Sequence, residues 1–361
     1  MGKHILTVLE SNNFNNIVKN IRYSKKMKHS IEGELNMKLL TISIAAYNVE
    51  DYLDEALDSL CCDEKLMDKL EVLIEDDGST DNTLNIAKEF EDKYPHVFRT
   101  VIKENGGYGS TINNSIKLAN GKYFKQLDGD DWFNKEYLNG FLDWLSNQNA
   151  DFIITPYYNC YEENKWELVD NCKKIESKTS EISAMNSCEN FGMHELAIKT
   201  ELLQKHNISI TEKCFYTDNE YTFLPLFFAK TVAKYDKPIY CYRLGRDGQS
   251  VSLEGVNRHY RDSLVVAKKM YDTYLENKET CITIKPVIEK KLIYITNTVY
   301  TYYMVTSGDH KKILRKFDNM LKIEYPDIYK ITNSIKKVRL LRQTRFLGYS
   351  YVKKILLKRW K

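Results

Sequence analysis

Three short apolar runs, residues 39–46, 70–74 and 123–127, constrain the fold most, and two of them stop at dense clusters of carboxylates. The first run, Leu39-Leu40-Thr41-Ile42-Ser43-Ile44-Ala45-Ala46, is short, continuous and partly β-branched, as a strand covered on both faces should be. The second leads into Glu75-Asp76-Asp77-Gly78-Ser79-Thr80-Asp81 and the third into Asp128-Gly129-Asp130-Asp131. Like charges beside a glycine repel and hold a fold together poorly, but they grip a divalent cation well, and such a cation can hold a diphosphate. Ligands of open α/β sheets bind at the carboxyl ends of the strands, where both clusters should lie.

Amphipathic segments fill the gaps. Tyr52, Leu53, Ala56, Leu57 and Leu60 share one face of a helix over 49–60, and further helices are predicted over 84–94, 110–119 and 135–148. Asp81-Asn82-Thr83 can cap the second of these. With strands over 97–102 and 152–156, the alternation predicts a mostly parallel, doubly wound sheet. Residues 160–185 suit a pair of antiparallel strands with a loop, and a helix is expected over 199–206. From 255 onward the periodicity is helical, over 256–275, 286–305 and 311–325. The expected organisation is an extension over 1–36, an α/β domain over 37–254 and a helical region over 255–361.

Composition narrows the class. Hydrophobic residues at 43% and charged residues at 29% suit a soluble enzyme. No stretch approaches the roughly 18–20 apolar residues that span a bilayer, and the Asn- and Lys-rich start lacks the pattern of a signal peptide. A cytoplasmic chain is expected. The eight cysteines show no CxxC and no paired Cys/His spacing, so reduced thiols are expected. Charge is uneven: from Ile328 there are eleven Lys or Arg and no acid, so +3 − 11 leaves −8 on the rest. At the end of this tail, Val352, Ile355, Leu356 and Trp360 share one helical face among Lys and Arg. That is the composition of an interfacial helix on an anionic membrane surface; a solvated helix packed on the body is the other reading. No nucleic-acid module accompanies the charge, so no nucleic-acid partner is expected.

Asp76 or Asp77 can accept from a base N–H, where an acceptor-only carboxylate discriminates; a plain turn at 77–79 with a Ser79 or Asp81 cap is the alternative. Tyr47 is placed to stack on a base or to join the core. Asn105-Gly106-Gly107-Tyr108-Gly109 is glycine-dense before a helix but matches neither GxGxxG nor a P-loop. Gly129 would let backbone pass close to a ligand. Arg243 and Arg246 can fork onto phosphate oxygens.

Taken in order, Ile44-Ala45-Ala46-Tyr47-Asn48, Asp76 to Asp81, Asn105-Gly106-Gly107 with Asn113-Asn114, Leu127 to Trp132, Thr217-Asp218-Asn219-Glu220 and Tyr242 to Arg246 resemble family-2 glycosyltransferases of the GT-A fold. The resemblance covers roughly 38–255. It implies a Rossmann-like α/β fold with a C-terminal helical extension, and an inverting, metal-dependent transfer from a nucleotide-diphosphate sugar, a UDP-sugar foremost. The acceptor would be a hydroxyl of a glycan or lipid-linked chain in bacterial surface-polysaccharide synthesis, at the inner membrane face. By the same resemblance, Ala46, Tyr47, Asn48, Asp76, Asp77, Asn105, Gly107, Asp128 and Gly129 would meet the nucleotide. Asp128 and Asp130 would hold Mn²⁺ or Mg²⁺, and Asp218 would be the catalytic base, with Glu220 as fallback. The family usually has Glu-Asp where this chain has Thr217-Asp218. Arg243, Arg246, His194 and Asp131 are candidates for diphosphate or acceptor contact, and a structural histidine is the other reading of His194. A sugar nucleotidyltransferase needs a Gly-rich basic loop after the first strand, where this chain has Ala46-Tyr47-Asn48-Val49. A non-catalytic assembly partner would have lost the main acids, and none is lost.

Overall fold

The computed structural model describes residues 38–161, 165–245 and 252–359. The expected 1–36 extension, Arg246 and Trp360 lie outside them. The strands are β1 (Leu40–Ala46), β2 (Leu70–Asp76), β3 (Phe98–Ile102), β4 (Tyr123–Asp128), β5 (Trp132–Phe133) and β6 (Phe152–Ile154). They continue with β7 (Tyr157–Tyr161), β8 (Lys165–Val169), β9 (Ser180–Glu181), β10 (Leu196–Lys199), β11 (Thr231–Lys234) and β12 (Tyr240–Arg243).

Among the described residues the main sheet runs β3-β2-β1-β4-β10-β6-β11-β9. Its first four strands are parallel. β1 lies near the middle and is buried on both faces, Leu40, Ile42 and Ile44 on one and Thr41 and Ser43 on the other. The helices Leu53–Asp58, Thr83–Lys93 and Tyr108–Leu118 make the connections, as their apolar spacing predicts. The last begins just after Gly107, whose φ of 76° favours glycine.

The sequence misses β10. A helix is predicted from 199, whereas Leu196-Ala197-Ile198 forms a buried strand antiparallel to both β4 and β6, and the helix starts at Thr200. Three apolar residues are too few to show a period, so only the vacant place in the sheet specifies a strand here. An antiparallel pair, β7 with β8, does form, but over 157–169 rather than 160–185, and with β5 and β12 it makes a smaller sheet, β5-β12-β7-β8. The pairs Tyr240↔Phe133 and Cys241↔Trp132 bring the chain after the second acid cluster onto β12.

Two expectations need correction. Cys172 and Cys188 form a disulfide, although Cys61, Cys62, Cys160, Cys214, Cys241 and Cys281 are free thiols as expected. The two cysteines lie 16 positions apart in sequence, and the loop folds back so that the Glu189 N–H donates to the Asn171 carbonyl at 2.8 Å. That contact is invisible in spacing. In the tail, the helix Tyr349–Arg359 buries Val352 and packs Leu356 on the body, so two residues of the expected apolar face are taken up by the fold, while Ile355 stays exposed.

The helices Asp262–Asn277, Lys285–Val305 and Lys311–Glu324 share one hydrophobic cluster with the main sheet. Each large apolar side chain buried there contributes about 1.5–3 kcal/mol. A polar anchor joins them to the helix Lys336–Gln343: Tyr300 Oη and Arg342 Nε both donate to Asp318 Oδ1, at 2.6 and 2.7 Å. The helix Lys285–Val305 also delivers a lysine to the site described next.

Candidate active site

The register sets the carboxyl ends of three strands side by side, Ala46 opposite Asp76 and Ala45 opposite Asp128. Beyond them opens a cleft of about 820 Å³. It is lined by Ala46, Tyr47, Asn48, Asp77, Asn105 and Gly107 on one side, and by Asp128, Gly129, Asp130 and Lys213 to Phe215 on the other. Nine of the ten expected nucleotide contacts and ion ligands, from Ala46 to Asp130, therefore share one cavity. Asp76 is the exception: it is buried at the end of β2, and its Oδ1 accepts from Ser79 N–H at 3.2 Å.

Asp77 is almost fully buried. Its two oxygens accept from Gly106 N–H at 2.9 Å and Gly107 N–H at 2.8 Å, and Lys103 Nζ pairs with Oδ1. The carboxylate thus holds the glycine loop against β2 while bordering the cleft. Asn48, at φ 50°, accepts from Thr80 N–H at 2.8 Å, and its own N–H donates to Ser79 Oγ at 3.1 Å. Tyr47, flanked by these turns, is 50% exposed and is not a core aromatic. Gly129 passes so close to β1 that a Cβ would meet the Ala45 carbonyl at 2.9 Å.

The second acid cluster divides. Asp130 lines the cleft, while Asp131 points inward, accepting from Tyr240 Oη at 2.6 Å and from Arg243 N–H at 2.7 Å. Burial, then the charges of Asp130 and Asp128, push the Asp131 carboxyl well above the usual range. His194, placed just before β10, lies among the rings of Tyr157, Tyr240 and Tyr242, with centroids 4.4–5.0 Å away. Burial first, and Lys125 second, push its imidazole down to about 3, so it is neutral with a lone pair to offer. One possible ligand atom each from Asp128, Asp131 and His194 fall within 4.8 Å of one another. Carboxylate oxygens suit Mn²⁺ or Mg²⁺, whereas an imidazole nitrogen suits softer divalent ions better than Mg²⁺; of the two expected ligands, Asp128 is in that trio and Asp130 is not.

Asp218 opens the short helix Asp218–Phe223 and is half-buried; it follows the lining segment Lys213 to Phe215 but is not itself among the residues that line the cleft. Burial raises its carboxyl, against a lowering influence from Lys291 and hydrogen bonds at Asn219. Tyr108 ties the two halves of the site together. Burial, then Asp128, then Asp218 push its phenol well up, so both carboxylates neighbour one ring. Tyr242 likewise feels Asp131, Asp128, Asp130 and Asp218.

Two candidates serve elsewhere. Glu220 is fully buried, accepting from Thr211 N–H at 2.8 Å and pairing with Lys269 at 2.9 Å, so it props the segment before Asp218 and is no fallback base. Arg243 donates to the Asp130 carbonyl at 2.8 Å and pairs with Glu55, its guanidinium lying over Tyr52 and Trp132. Its planar fork is held in place rather than extended over the cleft. The sequence missed Lys103, Tyr108, Lys213 to Phe215 and the buried Lys291, which donates to Thr222 Oγ1 at 3.1 Å and to the Phe191 carbonyl. Of these only Tyr108, inside the glycine loop, carried a signal.

A half-parallel sheet with carboxylates along its carboxyl edge, a smaller sheet closing one side and helices behind defines a GT-A glycosyltransferase fold. Residues 41–200 match Glycosyl transferase family 2, and the chain carries a domain of that family. An uncharacterized glycosyltransferase of Mycoplasma genitalium is 34% identical over 132 residues, 36% of this chain and 44% of the relative. A homolog in Mycoplasma pneumoniae is 28% identical over 234 residues, 64% of this chain and 77% of its own. The chain thus spans less than half the length of the first relative. The crystal structure of S. aureus TarS in complex with UDP-GlcNAc superposes with a TM-score of 0.51 at 19% identity, covering 83% of this chain and 92% of that one.

Proposed function

We propose that the protein is an inverting glycosyltransferase that moves a sugar from a nucleotide-diphosphate donor, a UDP-sugar, to a hydroxyl of a glycan or lipid-linked acceptor in surface-polysaccharide synthesis. The observation that supports this reading is the cleft shared by Asp128, Asp130, Tyr108 and the Asp77-held glycine loop, with the Tyr108 phenol feeling the charges of both Asp128 and Asp218. The uridine choice follows the UDP-GlcNAc bound by TarS.

The base would lie against the glycine loop and Tyr47, with the spare lone pair of Asp77 Oδ2 available to one of its N–H groups. Asp128 and His194, with Asp131 or Asp130, would hold Mn²⁺ or Mg²⁺, which when bound neutralises charge on the leaving diphosphate. The acceptor oxygen forms its bond to the anomeric carbon as the carbon–oxygen bond to the diphosphate breaks, and the bond pair leaves with the nucleotide. Asp218 takes the acceptor proton. Its raised affinity for that proton suits the task, because a base works best when its pKa approaches the working pH.

The test is a panel of nucleotide sugars, with and without Mn²⁺, read by thermal shift and by release of nucleoside diphosphate. One UDP-sugar should stabilise the protein in the presence of metal and slowly release UDP. Absence of any response from every nucleotide would contradict the proposal.

A further inference from the structure

The last two helices present a surface the transfer reading does not use. On Lys336–Gln343 and Tyr349–Arg359, the inward side chains Val338, Leu341, Tyr349 and Val352, with Phe346 of the turn between, are buried against the body. The outward positions differ sharply in kind. Lys336, Arg339, Arg345, Lys354 and Lys358 are exposed, and from Ile328 to the last residue the sequence holds eleven Lys or Arg and no Asp or Glu. Between them Leu340, Leu347, Tyr351 and Ile355 are also exposed, Leu347 by 82% and Tyr351 by 66%. Asp309, beside Lys353, Lys354 and Lys358, and Asp318, paired with Arg342, offset only part of this charge, and water-facing leucine and tyrosine amid a net positive surface suit neither a solvated helix nor a protein core.

We propose that this outward surface of the two terminal helices docks on an anionic lipid bilayer, with Leu347 and Tyr351 entering the interface and the five cations meeting headgroup phosphates. Charge complementarity selects this occupant. A second copy of the same surface would set cation against cation. Residues 1–37 hold six Lys or Arg against three Glu, so that segment does not complement it either. Among the described residues no helix is long and apolar enough to cross a membrane, so attachment here lies in the interface plane. This differs from the face suggested by sequence, because Val352 and Leu356 pack inward. The inference rests on surface composition and stands apart from the transfer reading: vesicle binding without donor turnover, or the reverse, separates the two.

The test is co-sedimentation of the full chain with vesicles of phosphatidylcholine alone or mixed with phosphatidylglycerol. Binding should require phosphatidylglycerol and weaken at high salt. Lys354→Gln with Lys358→Gln should lower partitioning about 25-fold, the equivalent of ~1 kcal/mol per charge. Leu347→Ser should lower it while the unfolding midpoint stays put. No binding to anionic vesicles, or equal binding by these variants, would overturn the proposal. So would a dimer that Leu347→Ser disperses in a chain that ignores vesicles.

Discussion

Removing the Asp77 carboxylate would leave the Gly106 and Gly107 N–H groups and Lys103 without their shared acceptor. An orphaned buried donor costs about 1–3 kcal/mol, so Asp77→Ala should lower unfolding free energy in urea by that order and weaken UDP binding together with it. Unchanged stability would show that the glycine loop holds itself. Asp77 was legible in the sequence as a base-reading acid, because a carboxylate beside Gly78 at a strand end invites that role. Its structural duty was not, since both donors lie 29 and 30 residues further on. Arg243 and Glu220 failed for a related reason: spacing shows that a charged residue is near the site but not which partner already holds it.

At the scale of elements, the short helix Asp218–Phe223 is gripped from behind by Lys291 through Thr222. As the proposed base, Asp218 must be charged to accept a proton, and burial raises its pKa, so the acid-side fall in kcat should come at a higher pH than for a solvated aspartate. The positive charge of Lys291 lowers that pKa; Lys291→Met should therefore move the acid limb further up, whereas a purely structural lysine would leave the limb in place. The facing groups are Tyr108, Tyr216, Tyr242, Tyr294 and Tyr302, all phenols pushed upward and neutral at working pH. A second element-level expectation concerns the Cys172–Cys188 staple. Asn171 beside it donates twice to Glu195, at 2.9 and 2.8 Å, next to His194. A disulfide closing a loop across 16 positions is worth about 3 kcal/mol. Cys172→Ser with Cys188→Ser should lose that order of stability in chemical denaturation, and reductant should destabilise the wild type but not the double variant.

Across the whole molecule, strand-and-helix alternation up to Asp131 was readable because most elements there are long enough to show their period, the four-residue helix Glu64–Met67 excepted, and the acids sit where the period stops. Past that point the site is assembled from distant pieces. β12 brings Tyr240 and Tyr242 to the acid cluster, the smaller sheet carries Tyr157 to His194, and the helix Lys285–Val305 supplies Lys291. None of these meetings leaves a mark in local sequence, since each depends on tertiary packing of segments tens of residues apart. The proposed division of labour, donor on the parallel half and proton transfer from the later half, is the central claim. Its most direct test is Asp218→Asn, assayed for sugar transfer or donor hydrolysis alongside UDP affinity by calorimetry. Loss of a general base should reduce kcat by about 10²–10⁴-fold with UDP affinity within two-fold of wild type; turnover at the wild-type rate would contradict the assignment.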